Sequence, residues 1–233
     1  MNLDVDGHRI GTADAKNIRQ VLDMKHANLT TTFDFQDKAT ISYTYYALRN
    51  LPYTVLVDVT IKAKKDIEII PASVMEAPDD LKDVQNYYNQ IDRPHVKLSL
   101  LSSIAKSPTG KLTLAASTTF LFDEPNGSEP ELIHEMWDNN MHLSKFKKNL
   151  KAGATYHFAI AGASITTAQH DDPLNEAERY VIYAKLQGTE RLKQFHDAAW
   201  DEIWKSDIII DGDDASQRDV HSAMYHLYSF VRA

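Results

Sequence analysis

Apolar and polar residues alternate with a period of two over most of the first 170 positions, which predicts β-strands. Leu29, Thr31, Phe33 and Phe35 fall on one face of a strand, and Ile41, Tyr43 and Tyr45 on one face of the next. After Pro52, residues Val55, Val57, Val59 and Ile61 share a face. A Lys64-Lys65-Asp66 turn then leads to a returning strand with Ile67, Ile69 and Ala72 to Val74. Strands resume at 96–104, 112–122, near 141–146 and at 155–167. Short polar turns between such strands point to antiparallel hairpins in a sandwich. The acidic stretch 76–93, with Pro78 and Asp79-Asp80, reads as a long loop, and 123–130 as a breaker.

The period changes after residue 170. Asp172-Pro173 offers an acidic cap and a proline at the first helical position. Leu174, Ala177, Val181 and Ala184 form the helix stripe, and Gly188 stops it. A second helix spans about 189–205, with Leu192, Phe195, Ala199 and Ile203 on one face and His196, Trp200 and Trp204 on an adjacent one. The acidic turn 211–214 opens a third helix, where Asp214 and Gln217 have capping-box spacing. Val220, Ala223, Leu227 and Val231 form one stripe of this helix, and His221, Tyr225, Tyr228 and Arg232 a second. A helix apolar on more than one face needs neighbours on both sides. The expectation is therefore that these 233 residues are part of a longer protein. The expected architecture is mainly β with an α tail. It comprises an antiparallel β-sandwich over 1–170, a helical linker over 171–210 and the start of a further domain over 211–233.

Composition narrows the class without choosing a function. The content is ordinary for a globular chain, 43% hydrophobic and 25% charged. The absence of cysteine removes disulfide frameworks and thiol catalysis. A net charge of −8 argues against a nucleic-acid partner, which calls for a basic face. No apolar run approaches the roughly 20 residues of a membrane helix. The compartment stays open between cytoplasm and a bacterial periplasm or exterior.

Candidate chemistry is sparse. His134-Glu135 begins like a zinc-protease motif, but position 138 is Asp rather than His. His221 and His226 sit about 140° apart on a helix and cannot share a metal undistorted. His170, Asp171 and Asp172 have a simpler use in helix capping. The 211–214 acids lack the spaced ligands of a calcium loop. Lys145, Lys147, Lys148 and Lys151 suggest an anion patch or, more simply, a solvated sheet edge. Asn28-Leu29-Thr30 and Asn126-Gly127-Ser128 are glycosylation sequons. Tyr87-Tyr88, Trp137 and the Tyr43, Tyr45 and Tyr46 group are candidates for a sugar-stacking platform in a free-standing carbohydrate-binding module. No pair of carboxylates stands out for glycoside chemistry.

The tail does carry a resemblance. His196-Asp197-Ala198-Ala199-Trp200-Asp201-Glu202-Ile203-Trp204, Ser206-Asp207-Ile208, Gly212-Asp213, and Gln217 leading to His221-Ser222-Ala223-Met224-Tyr225-His226-Leu227 resemble glycoside hydrolase family 65. That family holds maltose, kojibiose and trehalose phosphorylases and related α-glucosidases. Leu22-Asp23-Met24-Lys25, followed by Leu29 and Phe33, resembles a stretch of its N-terminal sandwich. The resemblance implies a sandwich, linker helices and the first helix of an (α/α)6 catalytic barrel. It implies the non-catalytic N-terminal region of an inverting enzyme acting on α-glucosides such as kojibiose, maltose or trehalose. Catalytic residues would then lie beyond Ala233, and this chain would hold no catalytic, cofactor or metal site. Inorganic phosphate would be a co-substrate if the enzyme is a phosphorylase. A homo-oligomer through the C-terminal helix is a further expectation.

Overall fold

The computed structural model describes residues 1–93, 96–125 and 128–230. Its strands are β1 (Asn2–Val5), β2 (His8–Arg9), β3 (Ala15–Asp23), β4 (Asn28–Phe35), β5 (Ala39–Ala47), β6 (Thr54–Ala63) and β7 (Ile67–Glu76). They continue as β8 (Lys82–Arg93), β9 (Val96–Lys106), β10 (Thr113–Phe122), β11 (Ile133–Met136), β12 (Met141–Lys145), β13 (Lys148–Leu150) and β14 (Thr155–Thr166). Three helices follow: α1 (Pro173–Gln187), α2 (Thr189–Ile203) and α3 (Asp214–Phe230). The larger sheet has eight strands in the order β3-β4-β5-β6-β14-β10-β9-β8, and the smaller runs β11-β12-β7-β1-β2 with β13 also on β7. Every pairing in both sheets is antiparallel.

The larger sheet is covered on both faces. Against the smaller sheet it buries Phe33, Phe35, Ile41, Val59, Ile61, Phe120 and Phe158, with Phe146 from the β12–β13 turn. On its other face Leu56, Ala159, Ala161, Ala163 and Ile165 meet α1 and α2 through Ala177, Val181, Ala184 and Leu192. Strand β14 therefore serves both cores. It presents Phe158 and Ile160 to the sandwich and three alanines to the helices, whose small side chains allow close approach. This two-sided burial corrects one expected face. Val57, Val59 and Ile61 point into the sandwich, but Val55 is half exposed, and Leu56 is the fully buried residue on the helix side.

Other expectations change as well. The stretch 76–93 is mostly strand. β8 pairs along β9 from Lys82 to Arg93, with one irregularity between Lys82 and Gln85. An edge strand needs backbone partners on one side only, so polar side chains do not forbid it. The segment 134–140, whose sequence reads as a loop with a partly buried tryptophan, is part strand, since β11 pairs with β12, and Trp137 is indeed half-buried, at 48% exposure. In α1 the cap is as read: the Asp172 side chain accepts from Asn175 N–H, and Gly188 ends the helix at φ 74°. In α2 the buried line is Leu192, His196 and Trp200, crossing the two faces read from sequence. In α3 the capping carboxylate belongs to Asp213, which accepts from the N–H groups of Ala215 and Ser216 at 3.0 and 3.1 Å. Gln217 instead holds Ile210 N–H at 2.6 Å and donates to the Ile208 carbonyl at 2.9 Å. Nor is α3 packed all round: Met224 is buried, whereas Leu227 is 66% exposed. Val231 and Arg232 lie outside the described residues.

Candidate functional site at the helix and sandwich junction

The helices are fastened to the larger sheet by buried polar groups. His196 is fully buried on α2. Its Nε2–H donates to the His26 carbonyl at 2.8 Å, and its Nδ1 accepts the Arg49 N–H at 3.1 Å. Both contacts suit a neutral ring, and burial lowers its pKa. The Tyr46 ring meets it edge-on at 5.4 Å. Arg49 lies 5.0 Å over the Trp200 ring and donates to the Tyr228 carbonyl at 2.8 Å. Trp200 stacks on Tyr225 at 5.7 Å, and Trp204 meets Tyr228 edge-on at 5.4 Å. The Tyr228 hydroxyl donates to the Ser206 carbonyl at 2.6 Å. An aromatic ladder thus carries α3 on α2, with one arginine of the sandwich threaded into it. Beside it lies a cavity of about 150 Å³ lined by Ala47, Arg49, Pro52, Trp200, Tyr225 and Ser229.

A second fastening is ionic. His157 of β14 donates from Nε2 to Asp58 and from Nδ1 to Asp123, the latter at 2.6 Å. The hydrogen bond to Asp58 outweighs burial and raises the His157 pKa to about 9. Asp58 also accepts from Lys193 of α2 at 3.0 Å. Although its burial works the other way, the Asp58 carboxyl is held below its ordinary range by these two cations. Lys185 of α1 pairs with Glu129 at 2.8 Å, both nearly buried, and lies over the Phe122 ring.

The interlayer at the β8 end is polar instead of apolar. Ser103 Oγ donates to Asn86 Oδ1 at 2.6 Å, so its lone pairs face His142 Nε2 at 2.9 Å. His142 must then carry its proton on Nε2, and its Nδ1 accepts from His134 Nε2–H at 3.3 Å. Tyr88 stacks on His134 at 4.5 Å. This chain superficially resembles a Ser–His relay but runs the wrong way. An activating histidine accepts the hydroxyl proton, whereas His142 donates to the hydroxyl. Burial first, and the neighbouring His134 second, lower the His142 pKa to about 4.

The remaining sequence candidates are scattered. Glu135 faces away from His134, binding Lys145 at 2.5 Å and the Trp137 indole at 3.1 Å. The lysine run is no anion patch: Lys145, Lys147, Lys148 and Lys151 pair with Glu135, Glu68, Glu124 and Asp66. His221 accompanies Asp207 at 2.9 Å and Gln217 at 2.8 Å. His170 approaches Glu176 at 3.8 Å. Among the described residues no group of three His, Asp or Glu is arranged to hold a metal ion. The tyrosines do not all share one surface, although the Tyr43 and Tyr45 rings meet at 6.5 Å and line one cleft. Tyr43 packs on Phe33, Tyr46 is buried against His196, Tyr45 is half exposed, and Tyr88 is taken by His134. Asn126 and Gly127 of the second sequon lie outside the described residues. Sequence reading missed Arg49, Asp58 and His157; His196 offered a signal as a polar residue within an apolar stripe.

The class of fold is thus an antiparallel β-sandwich backed by helices that polar contacts fasten to its larger sheet. Residues 1–203 match the model of the glycosyl hydrolase family 65 N-terminal domain. The chain belongs to that family. It is 56% identical over 232 residues to a kojibiose hydrolase of Mucilaginibacter mallensis and 44% identical over 232 residues to one of Flavobacterium johnsoniae. Each comparison takes in 100% of this chain and 34% of the relative, so the chain spans about a third of the length of these curated relatives. A solved structure described as a kojibiose phosphorylase from the human microbiome has the same fold, with TM-score 0.79 and 12% identity. That similarity covers 97% of this chain and 30% of the other.

Proposed function

We propose that this chain is the non-catalytic N-terminal region of an enzyme that hydrolyses kojibiose or a close α-glucoside with inversion. Its role in that enzyme is to hold α2 and α3 where the catalytic region begins. The observation that carries the reading is the junction itself, where His196 and Arg49 lock the two helices to the sandwich. The exposed apolar side of α3, with Leu227 and Phe230, is the surface we assign to contact with the catalytic region. With the chain on its own, the same surface is open to a second copy. The similarity of this whole chain to a third of two kojibiose hydrolases favours water over phosphate as the attacking group. In an inverting enzyme, a glutamic acid of the catalytic region would protonate the leaving oxygen while a base-activated water attacks the opposite face. The 233 residues alone are expected to release no glucose from kojibiose. Extended by a catalytic region like that of the relatives, they are expected to release it without phosphate. Turnover by the chain alone, or a strict phosphate requirement of the extended protein, overturns this reading.

A further inference from the structure

The turn between β11 and β12 lies at the polar end of the sandwich, and hydrogen bonds tie down its main chain. Asn86 Nδ2 donates to the Asn139 carbonyl at 3.0 Å, and Ala77 N–H to the Asn140 carbonyl at 2.8 Å. Asn140 N–H donates to Asp138 Oδ1 at 2.7 Å. These bonds use the main chain and leave the Asn139 and Asn140 side-chain amides without a hydrogen bond among the described residues. Both residues line two adjoining clefts of about 330 and 380 Å³. One cleft adds Asp138 and also Glu76 and Asp79, which form no ion pair among the described residues; the other adds Leu81, Val84 and Met136 beside Asp83, whose carboxylate pairs with Lys106 at 2.7 Å. No lysine or arginine lines either cleft.

Each part of this lining excludes something. Uncompensated carboxylates repel anions. Amides that both donate and accept suit hydroxyl groups, which do the same. Carboxylates accept from pairs of hydroxyls, and an exposed methionine with two aliphatic neighbours suits a ring's C–H face. A few polar groups converging beside apolar side chains is the usual form of a small-ligand site. We propose that the turn carrying Asn139 and Asn140 binds a neutral sugar unit at an accessory site. The proposal stands apart from the helix junction and from whichever bond the catalytic region cleaves.

The test is an NMR titration of the ¹⁵N-labelled 233-residue chain with glucose, kojibiose and maltotriose, with glycerol and calcium chloride as controls. At least one of the three sugars is expected to give saturable shifts confined to residues 76–86 and 136–141. The N139A/N140A variant should weaken that binding by roughly tenfold, as loss of one or two hydrogen bonds implies. E76Q/D79N should weaken it as well and serves if the first variant perturbs the turn. The proposal is overturned if no sugar gives saturable shifts, or if the shifts survive both variants. It is equally overturned if glycerol reproduces them, or if calcium alone moves these peaks and the sugars do not.

Discussion

His196 and His26 lie 170 residues apart in sequence, yet one 2.8 Å hydrogen bond joins the imidazole Nε2 to the His26 carbonyl. The other ring nitrogen accepts the Arg49 N–H, so a single buried side chain ties α2 to two loops of the larger sheet. Alanine at this position strands a donor and an acceptor and opens a void beside Tyr46. H196A is expected to cost about 2–4 kcal/mol, from unpaired polar groups and the cavity together. H196Q, which keeps one donor and one acceptor, should recover part of that loss. Urea unfolding measures both, and a change below about 0.5 kcal/mol for H196A would show that the bonds do not matter.

Arg49 acts through shape as well as charge. Its planar group lies over the Trp200 ring while an N–H reaches the Tyr228 carbonyl. Lysine keeps the charge but cannot do both, because an ammonium is a compact point charge on a flexible stem. R49K is expected to speed amide hydrogen exchange in α3 and leave β14 protected. Equal acceleration in both elements would mean that Arg49 stabilises the whole fold instead of anchoring the helix.

The Asp58, His157 and Lys193 cluster predicts an alkaline weakness. With both ring nitrogens donating to carboxylates, His157 is cationic in the folded chain. Its pKa is raised from the unfolded value of about 6.5 to about 9. The stabilisation is therefore complete below pH 6.5 and lost as the pH rises through about 9, with a span on the order of 2–3 kcal/mol. H157Q should be less stable at pH 6.5 and show a flatter decline toward pH 9.5. A wild-type stability that does not change over this range would sink the assignment.

How much of this was legible depended on whether side chains or backbone and topology decided it. Alternation exposed the strands that bury one face, such as β4 with Phe33 and Phe35. It failed on β8, because an edge strand rich in Asn, Gln and Tyr is held by main-chain bonds to β9 that leave no side-chain period. Three nearby acids and Gln217 promised a cap for α3, but Gly212 turns the chain at φ 83° and puts Asp213 in place. The lysines of 145–151 were plain in sequence, whereas their acidic partners are brought in by pairing with β7 and β11 and by the β10 end. The family pattern in α2 included His196, but the two loops it binds lie 147 and 170 residues away, which no local pattern can reveal.

The polar interlayer predicts an acid weakness of opposite sign to that of His157. Among its bonds only neutral His142 fits, because Nε2–H serves Ser103 and bare Nδ1 receives His134. Its pKa falls from about 6.5 in the unfolded chain to about 4. A depressed pKa gives stability that is present above 6.5 and lost as the pH falls through about 4, on the order of 2–3 kcal/mol. Carboxylates also weaken the fold in acid, so wild type alone cannot isolate this contribution. The difference in urea unfolding free energy between pH 7 and pH 4.5 is expected to be about 2 kcal/mol smaller in H142Q than in wild type. Long-range ¹H–¹⁵N spectra supply the second arm, since each ring should show a single Nε2–H tautomer at pH 7. An imidazolium His142 at pH 6 would break the chain of donors at its centre and refute the arrangement.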